Sequence, residues 1–164
     1  MRPSKIENWL SMAREVSKRS PCSRRKFGAI LVKDDTILTT GYNGTCRGAI
    51  NCGLDISCLK DLHNEPPEES YGHCPAIHSE ENAIICASRN GVSAVGSTLY
   101  LATSESDGVV DRPCPRCRRM LVNAGVVEVV YIGKDGKVIT DNVSKDYVKM
   151  EDDWIRGQLV VYKD

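Results

Sequence analysis

Two short motifs constrain this chain more than any other feature. His78-Ser79-Glu80 stands where one helical pattern begins, and Pro113-Cys114-Pro115-Arg116-Cys117 stands where another begins. Residues two apart on a helix point about 200° away from each other, so His78 and Glu80 cannot share a side face. In a first turn, however, both can converge on a point beyond the helix end. A fold that serves both motifs therefore aims two helix N-termini at one place, where the positive helix ends favour thiolates. A catalytic zinc takes three protein ligands and keeps a fourth position for water, and His78, Cys114 and Cys117 supply that set. Zinc lowers the pKa of its water toward ~7, which leaves Glu80, close by but not a ligand, to carry protons. Two other readings exist for a CxxC. A closed structural zinc would have to borrow a fourth ligand, and a redox pair normally follows the first strand of its sheet, whereas this one follows at least three.

The surrounding pattern supplies such a fold. Ile6, Trp9, Leu10, Ala13 and Val16 recur at helical steps behind a candidate N-cap, Ser4. Phe27–Lys33 and Thr36–Tyr42 flank Asp34-Asp35 as a β-hairpin. Residues 43–77 show no sustained periodicity, which is rare in a compact domain unless the segment is functional or pinned. Ser79–Arg89 reads as a helix stopped by Asn90-Gly91, Ser97–Ala102 as a strand, and Pro115–Ala124 as a helix closed by Gly125. Val126–Ile132 is β-branched and apolar throughout most of its length, as for a strand covered on both faces. A helix over Ser144–Ile155 and a strand over Leu159–Tyr162 complete an α-β-β-α-β-α-β-α-β order. That order predicts a three-layer α/β/α domain on a mixed five-stranded sheet, with 1–164 as one domain and 43–77 as an irregular insertion.

Composition narrows the function classes. The 22 Lys+Arg balance 22 Asp+Glu, which counts against a partner gripped through many phosphates but not against a pocket for one. No apolar run approaches the ~20 residues that span a membrane, and the opening residues lack a signal-peptide core, so a cytoplasmic protein is expected. Eight Cys against three His then point to metal, catalysis or packing, because cytosolic thiols stay reduced.

The pairing H-x-E…P-C-x-x-C is the signature of zinc-dependent nucleobase deaminases. Together with Cys22-Ser-Arg-Arg-Lys-Phe-Gly-Ala-Ile-Leu-Val32, Thr40-Gly-Tyr-Asn-Gly44 and His78-Ser-Glu-Glu-Asn-Ala-Ile84, it resembles the cytidine/deoxycytidylate deaminase superfamily, and within it the deoxycytidylate (dCMP) deaminases. The resemblance runs from about Ile6 to Ile132. It implies a cytidine-deaminase-like fold and hydrolysis of dCMP to dUMP and ammonia by a zinc-activated water, with Glu80 as proton shuttle. It places Asn43 at the deoxyribose end of the pocket and Ser23, Arg24 and Arg25 in the polar cluster near the phosphate. It also implies a homo-oligomer, commonly a hexamer, with dCTP and dTTP as effectors, and links the position of Arg89 to assembly and effector response. Arg89 serves equally as a cation complementing a helix C-terminus.

The chain departs from the family pattern at Ser79, Glu81 and Cys46, and in a longer loop, Thr103–Arg112, before the Pro-Cys motif. Glu81 adds a carboxylate beside the site. The longer loop leaves open a modified deoxycytidylate, or another cytosine- or guanine-type base, as substrate. A nucleic-acid-editing deaminase and a non-catalytic zinc-stapled binding module are the competing classes. Zero net charge counts against the first, and the presence of Glu80 counts against the second. Some family members hold a second, structural zinc. Here Cys22, Cys52, Cys58 and Cys74, with His73 as substitute, fall in or beside the irregular insertion, where a closed thiolate site would pin it. Cys46 and Cys86 are read as free thiols.

Overall fold

A computed structural model describes residues 2–66 and 72–160. Helix α1 (Lys5–Ser17) starts in a capping box in which Ser4 and Glu7 satisfy each other's backbone N–H. Strands β1 (Phe27–Lys33) and β2 (Thr36–Tyr42) form the expected hairpin. Its two loop residues, Asp34 and Asp35, both take positive φ (50° and 57°), the left-handed geometry of a tight hairpin turn that aspartate tolerates. After the insertion, with its single-turn helix α2 (Leu59–Leu62), come α3 (Ser79–Arg89), β3 (Thr98–Thr103), α4 (Pro115–Asn123) and β4 (Glu128–Ile132).

The sheet order is β2-β1-β3-β4 followed by a fifth strand, β5 (Val138–Asn142); β3 and β4 are parallel and the other pairs antiparallel. β5 replaces the strand expected at Leu159–Tyr162. A π-helical turn over Val143–Tyr147 leads into α5 (Val148–Val160), so 159 and 160 are helical; 161 and 162, like 67 in the insertion, lie outside the described residues. The physical reason is the turn at 133–137, where Gly136 takes φ 74° and Gly133 N–H bonds the Lys137 carbonyl, folding Val138–Asn142 back onto β4. The mixed five-stranded α/β architecture otherwise stands as expected.

β1 is buried on both faces, and its alternation divides the core. Ile30 and Val32 meet α1 through Ala13, Trp9 and Val16, while Ala29 and Leu31 join Ala83, Leu99, Leu121 and Val129 beneath α3 and α4. No helix of the described residues is long and apolar enough to cross a membrane.

Gly41 sets the seat of α3. A Cβ there would lie 2.3 Å from the backbone of both Ser79 and Ala83, so neither neighbour can yield without moving the helix that begins at the His78 motif. Gly41→Ala is expected to cost about 3 kcal/mol, as overpacking against backbone does. Urea denaturation checks it, and a loss below about 1 kcal/mol would show that α3 shifts freely on the sheet.

Candidate active site

Because β1 runs antiparallel to β3, with Phe27 opposite Thr103, the start of one strand and the end of the other share an edge of the sheet. The N-termini of α3 and α4 open at this edge. His78 is the N-cap of α3 and Cys114 the N-cap of α4, where Pro115 fills the first helical position, one that needs no N–H donor. The fold thereby joins motifs 36 residues apart.

Nδ1 of His78 lies 3.5 Å from the Sγ of both Cys114 and Cys117. The three ligand atoms fall within 4.8 Å of one another, and no other such group of His, Cys, Asp or Glu occurs among the described residues. A tetrahedral zinc with Zn–S of about 2.3 Å and Zn–N of about 2.0–2.1 Å separates its ligand atoms by about 3.6 Å, so the donor set fits the ion. The electrostatics call for a cation as well. Its neighbour Cys114 and then burial push the Cys117 thiol far up, while Cys114 and then Glu80 raise the imidazole of His78. Glu80 is buried, accepts a hydrogen bond from Ser79 Oγ at 2.9 Å, and has its pKa raised by burial. Burial thus favours the protonated form of this carboxyl relative to one in water.

His78, Cys114 and Glu80 line a cavity of about 210 Å³ whose apolar walls include Phe27, Leu101 and Val110, with Cys117 buried behind it. Asn43 also lines it, and its amide splices the hairpin: Oδ1 accepts from Phe27 N–H at 2.8 Å and Nδ2 donates to the Arg25 carbonyl at 3.0 Å. Arg24 and Arg25 do not line this cavity. Arg24 binds Asp61 (Nε–Oδ1 2.7 Å) and the Glu65 carbonyl, while Arg25 donates to the Val109 carbonyl at 2.8 Å and lies over the Phe27 ring. Ser23 lines a neighbouring cleft beside Lys26 and Gly53. Arg89 is exposed in the last turn of α3.

Of the remaining cysteines, Cys22 and Cys74 border the catalytic cavity, while Cys58 is buried and interacts with Cys52. His73 pairs with Glu65 and stacks on His63 at 3.7 Å between ring centroids. Cys46 and Cys86 line a separate cleft with Arg47.

Two features flagged in the sequence acquire partners that it did not indicate. Glu81 turns away from the cavity, and its Oε1 lies 2.6 Å from Arg116 Nε. The longer loop contributes Val110, Asp111 and Arg112 to the cavity wall, and Arg112 is bidentate on buried Asp141, at 2.8 and 3.0 Å. The loop's unusual length was the available signal for the second feature. Nothing in Val138-Ile-Thr-Asp-Asn142 marks Asp141 as its partner.

Residues 3–133 match the family described as cytidine and deoxycytidylate deaminase zinc-binding region. The chain is 35% identical over 135 residues to a deoxycytidylate deaminase of Mycobacterium phage D29, covering 79% of this chain and 95% of that protein. It is likewise 35% identical over 130 residues to a deoxycytidylate deaminase of Schizosaccharomyces pombe, covering 79% of this chain but only 37% of that longer protein. A crystal structure of the dCMP deaminase of cyanophage S-TIM5 in complex with dCMP and dUMP is similar at 32% identity and a TM-score of 0.58, covering 79% of this chain and 81% of that one.

Proposed function

Because this chain belongs to the cytidine and deoxycytidylate deaminase family of zinc-binding hydrolases, we propose that it converts dCMP and water to dUMP and ammonia. The observation that carries the reading is a buried carboxyl, Glu80, beside His78, Cys114 and Cys117 at two converging helix starts. The similar cyanophage enzyme, which binds dCMP and dUMP, supports the substrate. His78, Cys114 and Cys117 would hold a zinc ion, whose chemistry would be to lower the pKa of a water molecule that attacks C4 of the pyrimidine. Glu80 accepts the proton that this water gives up, delivers it to ring N3, and then protonates the departing amine. The walls of Phe27, Leu101 and Val110 exclude bulk water from the ring.

A second substrate reading rests on one observation. Val110, Asp111 and Arg112 of the longer loop line the cavity, so a modified deoxycytidylate is the alternative to dCMP itself. Ammonia release from dCMP, CMP, dCTP, cytidine, 5-substituted dCMP and guanine decides between them. dCMP is expected to give the highest kcat/KM. Release from a 5-substituted dCMP with none from dCMP would transfer the assignment to the modified nucleotide, and no release from any member would overturn the activity. A second, structural zinc on Cys22, Cys52, Cys58 and Cys74 rests on the family resemblance, since Cys52 interacts with Cys58 but these thiols do not gather within ligand distance of one another in this structure. Metal analysis of the same protein is expected to find two zinc ions per chain, and a single ion would remove this site.

A further inference from the structure

We infer that Glu81 and Arg116 form a clasp that presets His78 against Cys114 and Cys117, making them positioning residues of the metal centre. The inference rests on the reading that those three residues hold zinc. Glu81 is the third residue of α3, and its Oε2 accepts a hydrogen bond from the backbone N–H of His78 at 3.0 Å. The carboxylate thus grips the residue that is both N-cap and metal ligand. Its other oxygen, Oε1, lies 2.6 Å from Nε of Arg116. Arg116 is the second residue of α4, between Cys114 at the N-cap and Cys117 in the first turn. One side chain therefore ties the start of the helix that follows His78 to the start of the helix that carries both thiols.

The site needs such a tie. α3 follows the long irregular insertion and α4 follows the longer loop 103–112, so neither helix continues directly from a strand. Ile77 pairs with Gly44 just before α3 and Arg112 with Asp141 just before α4, but neither contact joins the two helix starts to each other. Their ligands must nonetheless come within a few tenths of an ångström of tetrahedral spacing, and ligand orientation from outside the coordination sphere is what achieves this in metal sites. The charge arrangement agrees. The Glu81 side chain is 8% exposed and that of Arg116 60%, so a guanidinium reaches in from the surface to cover a carboxylate that would be costly to leave unpaired. Two thiols and Glu80 already crowd this point with groups that carry negative charge when ionised. Arg116 lets Glu81 cap the helix without adding to it. Glu81 does not line the cavity, so its role is separable from substrate contact.

The test uses the whole chain stripped of metal and reloaded. Zinc affinity is measured by chelator competition, and ligand geometry is read from the visible bands of the cobalt(II)-substituted protein. Arg116→Gln and Glu81→Gln, the latter retaining an acceptor for His78 N–H, are each expected to bind zinc about tenfold more weakly and to shift the cobalt bands. Arg116→Lys, which keeps the charge, is expected to recover most of the affinity. The double glutamine variant is expected to be no weaker than the weaker single one, the mark of residues acting as a unit. Affinities within twofold of the parent in both single variants, or losses that add in the double, overturn the clasp and leave the metal centre standing. A fall in the urea midpoint of the metal-free forms that accounts for the lost affinity assigns the pair to folding alone and also overturns it. A parent chain that takes up neither zinc nor cobalt overturns the metal reading, and the clasp with it.

Discussion

Glu80→Gln is expected to keep its zinc and its fold while turnover of dCMP falls about 10⁴-fold, the upper range for removal of a general acid–base group. That factor corresponds to about 5 kcal/mol of lost transition-state stabilisation. The substitution isolates proton transfer because nearly everything else survives it. Glutamine has almost the same shape, its amide oxygen can still accept from Ser79 Oγ, and His78, Cys114 and Cys117 are untouched. What disappears is a group able to take a proton from water and return it to the base. Stability gives an independent readout of the same residue. Burial raises the Glu80 pKa, so its ionised form is disfavoured in the fold, and this burden is present at neutral pH and relieved as pH falls below the folded pKa. Neutral glutamine carries no such burden, so the variant's Tm at neutral pH is expected to equal or exceed the parent's, as when an active-site strain is removed. Deamination within tenfold of the parent, with zinc retained, would assign the proton transfers to another group.

The metal triple was legible because its chemistry is written locally. An imidazole and two thiols in contiguous motifs, each against a helix start, leave few arrangements in which all three face the same point. The hairpin was legible for a similar reason, since Asp34-Asp35 supplies the turn between two runs of strand-forming residues. The roles of Arg24 and Arg25 depended on residues far along the chain. Asp61, Glu65 and Val109 engage their guanidinium groups, and no local pattern records that pairing. The last strand failed on competition between signals. Leu159-Val-Val-Tyr162 has the composition of a strand, but the helical run from Val148 carries through to Val160, and the edge position went to the shorter Val138–Asn142 once the turn at Gly136 brought it beside β4. Glu81 was visible as an extra carboxylate beside the site. That it faces Arg116 and not the substrate cavity follows from how α3 and α4 sit together, which sequence does not state.

Asp141→Ala is expected to destabilise the chain by about 3 kcal/mol, because four donors lose one acceptor. Oδ2 of Asp141 accepts from Tyr131 Oη at 3.1 Å, Tyr147 Oη at 3.0 Å and Arg112 Nε at 2.8 Å, and Oδ1 accepts from Arg112 Nη2 at 3.0 Å. Both tyrosines are buried, Tyr147 completely, so their hydroxyls would be left without a partner away from water. Burial and then Asp141 itself raise the pKa of both phenols, which therefore remain donors across the working pH range. The guanidinium contributes less, because the Arg112 side chain is 42% exposed and water can replace part of the lost pairing. For a chain of this size the loss corresponds to a fall in Tm of about 6–12 °C. Tyr147→Phe removes one donor and leaves the acceptor occupied, so it is expected to cost only about 1 kcal/mol. The cluster also reaches the chemistry, since Arg112 lines the cavity and leads directly into Pro113-Cys114. Freed from Asp141, the end of the longer loop no longer has a fixed position against the substrate, and kcat/KM for dCMP is expected to fall about tenfold in Asp141→Ala while Tyr147→Phe stays near the parent. Thermal denaturation and steady-state kinetics on the two variants check this together. A loss in Asp141→Ala no greater than in Tyr147→Phe would mean that the tyrosines, and not the carboxylate, hold the loop against the site.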